Sequence, residues 1–413
     1  MTLSQPMTER MRRPDWVQRL NRMADSVGGD ARVLVPFDAA ELLSQATQST
    51  GGMPASDLGD PRWQNRFEAL VAALDGADLH LVGRLMCKQE LLRGLRTRLS
   101  LMREVDAKPA IEAERIDSPV IVTGPARSGT TILFELLWLD PELRAPVAAD
   151  ALHPLPRSEG DANTRALSLA ECEQEFWADV QPEFAAIHEL RSDLPVECVT
   201  LTIPSFCGTH WPMVASPLEG WEPDLPLNYD FERRILQLMQ HGAAPQRWLL
   251  KTPGHLMTLE MLFDTFPDAW VIQTHRDPAK TMTSTISTSA MIQWLRTDQI
   301  DLPVLAALIQ GGFGAALNHS AELRESNVLP DRMVDIHFRS LITQPVETLR
   351  AAYAQMGREL GEEHAEAIRA YLADKPQGKF GTHRYSPEEW GIDVASLNEQ
   401  LEPYIAYFGV ELE

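Results

Sequence analysis

The chain has 413 residues, of which 44% are hydrophobic, and its formal net charge is −22. This length and composition are sufficient for a large buried core, in one large α/β domain with a helical addition or in two or three domains of ordinary size. The strong negative charge argues against nucleic acid, an anionic membrane or a polyanionic glycan as the main partner.

The four cysteines show neither a C-x-x-C pair nor the spacing of a zinc site, as expected for a protein in a reducing compartment. The N-terminus is polar and lacks the apolar centre of a signal peptide. No apolar run reaches the length of about 18 residues that crossing a bilayer needs. We therefore predict a cytoplasmic protein with no transmembrane segment.

Residues 1–117 are predicted to form a helical N-terminal region. Apolar residues recur there at three- and four-residue spacing, with polar residues between them. The helical segments are 16–23, 39–46, 62–74 and 79–105. We find no catalytic pattern in this region, and expect it to pack on the rest of the chain, to form a lid, or to form the dimer surface of a homo-oligomer.

Residues 118–413 are predicted to form an α/β domain. Its first strand, at 119–123, leads into the sequence GPARSGTT at 124–131. A strand, a turn with two glycines and a helix start form a phosphate cradle, because backbone N–H groups and the positive end of the helix dipole converge on one anion. A turn that binds nothing is the alternative, and the flanking strand and helix favour phosphate binding.

One position of this loop departs from the ATP-binding pattern G-x-x-x-x-G-K-[ST]. Thr130 stands where ATP-dependent enzymes carry the lysine that reaches the β- and γ-phosphates. Arg127, inside the loop, supplies a positive charge instead. The loop therefore predicts a nucleotide with a short 5′ tail.

Three further strands are predicted at 247–251, 269–274 and 333–337, each followed by a helical pattern. A largely helical insertion at about 160–240 precedes the second strand. Strands that alternate with helices predict a P-loop-like parallel sheet flanked by helices. Ligands of such sheets bind at the carboxyl ends of the strands, where the loop and Lys251 would meet.

A second phosphate site is predicted from Arg276, at the end of the third strand, and Ser284, eight residues later. A strand-end arginine and a hydroxyl two helical turns further on can hold one phosphate group. The segment 378–385 is a basic, glycine-containing loop that includes Arg384 in an otherwise acidic region. These residues predict a nucleotide that carries two separate phosphates.

Together these motifs resemble those of sulfotransferases that use 3′-phosphoadenosine 5′-phosphosulfate (PAPS), of a bacterial branch that is also similar to tyrosylprotein sulfotransferases. The family's loop P-[KR]-[ST]-G-[ST]-T is readable at 126–131, with Ala126 in place of the proline. Its arginine followed by a serine eight residues later, and its strand-end lysine, are also present. Three further motifs of the branch are readable at 251–255, 271–278 and 383–391. The resemblance covers about residues 118–410.

The resemblance implies an enzyme that transfers the sulfuryl group of PAPS to a hydroxyl of a small-molecule acceptor, releases adenosine 3′,5′-bisphosphate and needs no metal. It implies that the 5′-phosphosulfate is bound by Arg127, Ser128, Gly129, Thr130 and Thr131, and the 3′-phosphate by Arg276 and Ser284 with the help of Arg384. Arg127 and Lys251 are the expected catalytic cations, because charge develops on the bridging and leaving oxygens during transfer.

The general base is left open between two residues. Asp150 follows the first helix of the α/β domain, where relatives often carry a glutamate. His255 lies four residues after Lys251, and an unperturbed histidine accepts a proton near neutral pH. His153 is a further alternative. Phe338 stands where relatives frequently have tyrosine, so no contact that needs a phenolic hydroxyl is expected there.

The acceptor pocket is expected to involve the insertion at about 160–240 and the apolar stretch 302–317. Abundant tryptophan, methionine and phenylalanine fit a hydrophobic alcohol, although the same residues also form protein cores. Two other functions remain as alternatives. The first is a nucleotide-dependent small-molecule kinase, which the absent lysine disfavours, and the second is a non-catalytic nucleotide-binding protein of the same fold.

Overall fold

The computed structural model describes residues 7–52, 60–155, 161–186, 189–374 and 386–413. Within these ranges it contains one five-stranded sheet. The strands are β1 (Val120–Thr123), β2 (Leu143–Arg144), β3 (Arg247–Lys251), β4 (Trp270–His275) and β5 (Met333–His337). They are ordered β2-β3-β1-β4-β5, and every pair of neighbours is parallel.

Helices flank this sheet and make up most of the rest of the described chain. The α-helices are α1 (Met7–Arg10), α2 (Asp15–Asn21), α3 (Ala39–Ser49), α4 (Arg62–Gly76), α5 (Leu81–Ala107), α6 (Thr130–Trp138), α7 (Ala148–Leu152), α8 (Asp161–Val180), α9 (Cys198–Leu201), α10 (His210–Val214), α11 (Leu225–Gln240), α12 (Leu259–Thr265), α13 (Pro278–Trp294), α14 (Leu302–Glu325), α15 (Phe338–Thr343), α16 (Pro345–Gln355), α17 (Glu362–Asp374), α18 (Val394–Gln400) and α19 (Glu402–Phe408). The 3₁₀ helices are Arg22–Val27, Ala31–Val33, Pro109–Ala113, Pro182–Ala186, Ile203–Ser205, Pro253–Thr258 and Glu388–Trp390.

The predicted P-loop-like parallel sheet is confirmed, with its four predicted strands in place. β2 was not predicted, because two residues at the edge of a sheet carry no periodic signal. The helical pattern that follows β3 begins as a 3₁₀ turn, with Pro253 and Gly254 at its start, and becomes α-helical at Leu259.

Both faces of the sheet are covered by hydrophobic clusters. Adjacent residues of a strand point to opposite faces, so they belong to different clusters. Ile121 and Leu250 pack in one hydrophobic cluster, whereas Val122 and Leu249 pack in another. All four side chains are inaccessible to solvent. The carboxyl ends of the strands are therefore the part of the sheet that can meet a ligand.

The N-terminal helices share the larger of these two clusters. Leu95 and Leu99 of α5 belong to the same cluster as Ile121 of β1. Glu90 of α5 also forms a buried ion pair with Arg296, just beyond α13, at 2.6 Å. These contacts join α5 to the sheet and to the end of α13, and the division of the chain at residue 117 stays a prediction. No helix in the described part of the chain has the length and apolarity that a bilayer-crossing segment requires.

Candidate active site

The loop between β1 and α6 turns sharply at two glycines. Gly124 has φ +134°, and a Cβ built there would lie 2.3 Å from Thr274 Oγ1. Gly129, with φ +92°, directly precedes α6. Only glycine adopts such conformations at low cost and allows so close an approach to the neighbouring strand. The two glycines of the predicted phosphate cradle therefore have the conformational role that their spacing implies.

The side chains of this loop divide into internal and outward-facing groups. Ser128 is buried, and its hydroxyl hydrogen-bonds with the Pro125 carbonyl and with Thr274 Oγ1. Its side chain therefore holds the loop against β4. Arg127 and Thr131 are exposed, and Thr130 begins α6. The start of α6 offers backbone N–H groups and the positive helix end to an anion.

Lys251, the last residue of β3, lies between the loop and a carboxylate. Its ammonium group donates to Glu197 Oε1 at 2.6 Å and lies 3.5 Å from Thr131 Oγ1. Thr252 Oγ1 donates to the other oxygen of Glu197 at 3.3 Å. The side chain of Lys251 is only 4% exposed and that of Glu197 is 25% exposed. A cation is thus held beside the phosphate loop by a carboxylate that faces solvent.

Sequence reasoning missed Glu197. It caps α9 within the insertion, 54 residues before Lys251, and no local pattern connects the two. The contact depends on a backbone pairing, in which Ala148 N donates to Leu194 O and Val196 N donates to Pro146 O. This pairing also brings α7, which carries Asp150, beside α9.

Arg276, at the end of β4, reaches back to the phosphate loop. Its Nη1 donates to the Arg127 carbonyl oxygen at 3.0 Å, and its guanidinium lies 3.9 Å over the Phe338 ring. The remaining donors make a bidentate pair with the Glu413 carboxylate, at 2.7 and 2.8 Å. This pair lowers the pKa of Glu413. A carboxylate therefore contacts Arg276 at the place where the sequence predicts a phosphate.

Ser284 lies within α13 and is completely buried. Its hydroxyl has no hydrogen-bond partner among the residues that the structure describes. Buried hydroxyls are normally paired, so this orphaned group fits an anion oxygen that the chain does not itself supply. Arg384 and the basic loop 378–385 lie outside the described residues.

The candidate bases differ in environment. His255 is buried, its Nδ1 hydrogen-bonds with Tyr229 OH at 2.7 Å, and burial lowers its pKa to about 3. The Nε2 atom of His153 lies 3.3 Å from the Glu173 carboxylate. Asp150 is half-buried in the first turn of α7, near Arg144. Burial lowers the pKa of Arg144, and the negative charge of Asp150 acts in the opposite direction. His255 is thus enclosed with one ring nitrogen engaged, whereas Asp150 is partly accessible to solvent.

Comparisons with known proteins agree on one family. Residues 119–362, more than half of the chain, match the sequence profile described as "Sulfotransferase family". Two curated relatives, the omega-hydroxy-beta-dihydromenaquinone-9 sulfotransferases Stf3 of Mycobacterium bovis and Mycobacterium tuberculosis, are 24% identical over 298 residues, which is 70% of this chain and 75% of each relative.

Two solved structures are similar in fold. Sulfotransferase STF9 from Mycobacterium avium superposes with a TM-score of 0.79 at 25% identity, over 91% of this chain and 98% of that one. Sulfotransferase STF1 from Mycobacterium tuberculosis superposes with a TM-score of 0.71 at 24% identity, over 88% of this chain and 98% of that one.

Proposed function

The chain belongs to the sulfotransferase family, and from that premise we propose that it transfers the sulfuryl group of PAPS to a hydroxyl of a small apolar acceptor. The observation that carries the proposal is the position of Lys251. This buried cation lies 3.5 Å from a hydroxyl of the phosphate loop and reaches Glu197 on its other side. The leaving oxygen of PAPS and the hydroxyl of the acceptor would both lie close to the ammonium of Lys251.

The donor site in this proposal uses two groups of residues. The loop 124–131 and the start of α6 bind the 5′-phosphosulfate, with Arg127 and Thr131 directed outward. Arg276 and the unpartnered hydroxyl of Ser284 bind the 3′-phosphate. When the donor binds, Arg276 must release the Glu413 carboxylate and bind the 3′-phosphate instead. Both anions can accept two parallel hydrogen bonds from the guanidinium.

The reaction breaks the bond between sulfur and the bridging phosphate oxygen and forms one between sulfur and the acceptor oxygen. The acceptor proton passes to a base, and negative charge collects on the 5′-phosphate. Lys251 and Arg127 stabilise that charge, and no step uses a metal. Glu197 holds Lys251 in position until the donor draws the ammonium toward the phosphosulfate.

We assign the base to Asp150, a half-buried carboxylate in the first turn of α7. Asp150→Asn is expected to lower kcat by about 10²–10⁴-fold, since the amide cannot accept the proton. The remaining kcat should no longer fall as the pH is lowered. Steady-state kinetics across pH with saturating PAPS would measure both effects.

Glu197→Gln is the matched control for this assignment. It removes a carboxylate of the same site while preserving its size, and it should retain the fall of kcat at low pH. If the fall instead disappears in Glu197→Gln and persists in Asp150→Asn, the base is Glu197.

An apolar surface beside the site supports an apolar acceptor. Val304 and Leu308 of α14 are 52% and 62% exposed, and Met257, two residues after His255, is 44% exposed. Gly312 of α14 approaches Met257, which places this surface next to the segment that follows β3. The curated relatives are named for a hydroxylated dihydromenaquinone, an acceptor of the same apolar class.

Calorimetric titration of the purified chain tests the donor. Adenosine 3′,5′-bisphosphate should bind without magnesium and at least about tenfold more tightly than AMP, because two phosphate sites contribute. ATP with magnesium serves as the comparison. A preference for ATP would favour a kinase, and equal affinity for AMP and the bisphosphate would refute the 3′-phosphate site.

A further inference from the structure

Three buried side chains converge behind the Lys251–Glu197 pair. Cys198 follows Glu197 in the chain, His255 lies four residues after Lys251, and Glu232 belongs to α11. They are 2%, 3% and 1% exposed, respectively. The proposed sulfuryl transfer uses none of them.

The geometry of this cluster suits a metal ion. Each of the three residues offers one ligand atom, and these atoms all lie within 4.8 Å of one another. Ligands bonded to zinc at about 2.0–2.3 Å in a tetrahedron are about 3.3–3.8 Å apart, so an adjustment of about 1 Å would complete the site. A thiolate, an imidazole and a carboxylate are the ligand types that zinc combines in proteins.

Two atoms of the cluster have unused bonding capacity. Among the described residues, His255 Nε2 and Glu232 Oε1 have no hydrogen-bond partner, although both atoms are buried. The other ring nitrogen of His255 bonds to Tyr229 OH at 2.7 Å, and that hydroxyl bonds to Thr258 Oγ1 at 2.8 Å. Such an outer contact fixes the ring of a metal-bound histidine.

Charge balance favours a divalent ion over an empty cluster. Burying an ionised carboxylate without a partner is costly. A Zn²⁺ ion would neutralise a thiolate and a carboxylate together and would satisfy the unpartnered atoms.

We propose that Cys198, Glu232 and His255 bind a buried zinc ion, with a water molecule in the fourth position. The ion joins α9, α11 and the segment after β3. Cys198 directly follows Glu197, whose carboxylate holds the ammonium of Lys251 at 2.6 Å, so the ion would fix the position of that pair. It would take no part in sulfuryl transfer.

The test uses the full chain without an affinity tag, purified under reducing conditions. Elemental mass spectrometry should find about one zinc ion per chain. After removal by a chelator, Co²⁺ should restore binding and give the ultraviolet charge-transfer band of a thiolate ligand together with the intense visible bands of tetrahedral cobalt. Cys198→Ser should abolish the charge-transfer band, and Glu232→Gln should lower zinc occupancy at least tenfold.

Cys207→Ser is the matched control, because Cys207 is an equally buried free cysteine outside the cluster. It should retain the metal and the spectrum. Circular dichroism checks that each variant folds, and the wild-type spectrum decides the question if a variant does not. Wild-type protein that holds no zinc and shows no thiolate band with Co²⁺ would overturn the proposal, as would a band that survives Cys198→Ser.

Discussion

Lys251→Ala is expected to lower kcat for sulfuryl transfer by about 10³-fold, whereas the affinity for adenosine 3′,5′-bisphosphate should change by less than about threefold. A cation that acts on charge developing in the transition state contributes to kcat rather than to ground-state binding. Lys251 is suited to this, because its ammonium lies beside Thr131 of the loop and is held there by Glu197. Transfer from labelled PAPS and calorimetry with the bisphosphate measure the two quantities.

Two variants control this prediction. Lys108→Ala removes a surface lysine that is 52% exposed and paired with Glu104 of the same helix, and it should leave both quantities unchanged. Lys251→Arg keeps the charge but places it in a wider, planar group, so it should recover only part of kcat. Parallel loss of transfer and of bisphosphate affinity in Lys251→Ala would make Lys251 a binding residue and not a catalytic one.

The predictable part of this fold is the part that local sequence determines. The strand at 119–123, the two-glycine turn and the start of α6 each have a local signal, and the structure forms all three. The parallel direction of the strands follows from their alternation with helices, whereas their order was not predicted. β2 has only two residues, and the 3₁₀ start at Pro253 interrupts a helical pattern, so neither could be predicted.

The unpredicted part of the site consists of contacts between distant segments. Glu197 reaches Lys251 only because the segments around Pro146 and Leu194 pair. His255 has the sequence position of a base, yet Tyr229 of α11 bonds its ring and the surrounding helices bury it. Neither fact has a signal in the local sequence, because burial and pairing depend on how helices of the insertion pack.

The largest expected effect on donor binding comes from Arg276→Ala. We expect this change to weaken the binding of adenosine 3′,5′-bisphosphate by about 30-fold or more, which is equivalent to at least about 2 kcal/mol. Binding of adenosine 5′-phosphosulfate, which lacks the 3′-phosphate, should hardly change. The loss of bisphosphate affinity should be large because the Arg276 guanidinium already holds a carboxylate in bidentate geometry and is stacked on Phe338. The guanidinium is therefore oriented for an anion before the donor binds.

Substitution of Glu413 should change bisphosphate affinity in the opposite direction. Its carboxylate competes for the donors that a 3′-phosphate would use, and it is paired with Arg276 at 2.7 Å. Glu413→Gln should therefore tighten bisphosphate binding by a few-fold, because a partly exposed ion pair contributes at most about 1 kcal/mol. The nearby pair of Arg339 with Glu411 is the matched control, since both side chains are largely exposed. Arg339→Ala should leave the affinity unchanged.

These three variants separate a phosphate site from a merely structural ion pair. If Arg276 only ties the segment around Glu413 to the sheet, Arg276→Ala and Glu413→Gln should both destabilise the protein and change the affinities for both nucleotides alike. If Arg276 binds the 3′-phosphate, the two substitutions move bisphosphate affinity in opposite directions and leave adenosine 5′-phosphosulfate unaffected. Thermal denaturation of each variant, measured beside calorimetry with the two nucleotides, distinguishes these outcomes.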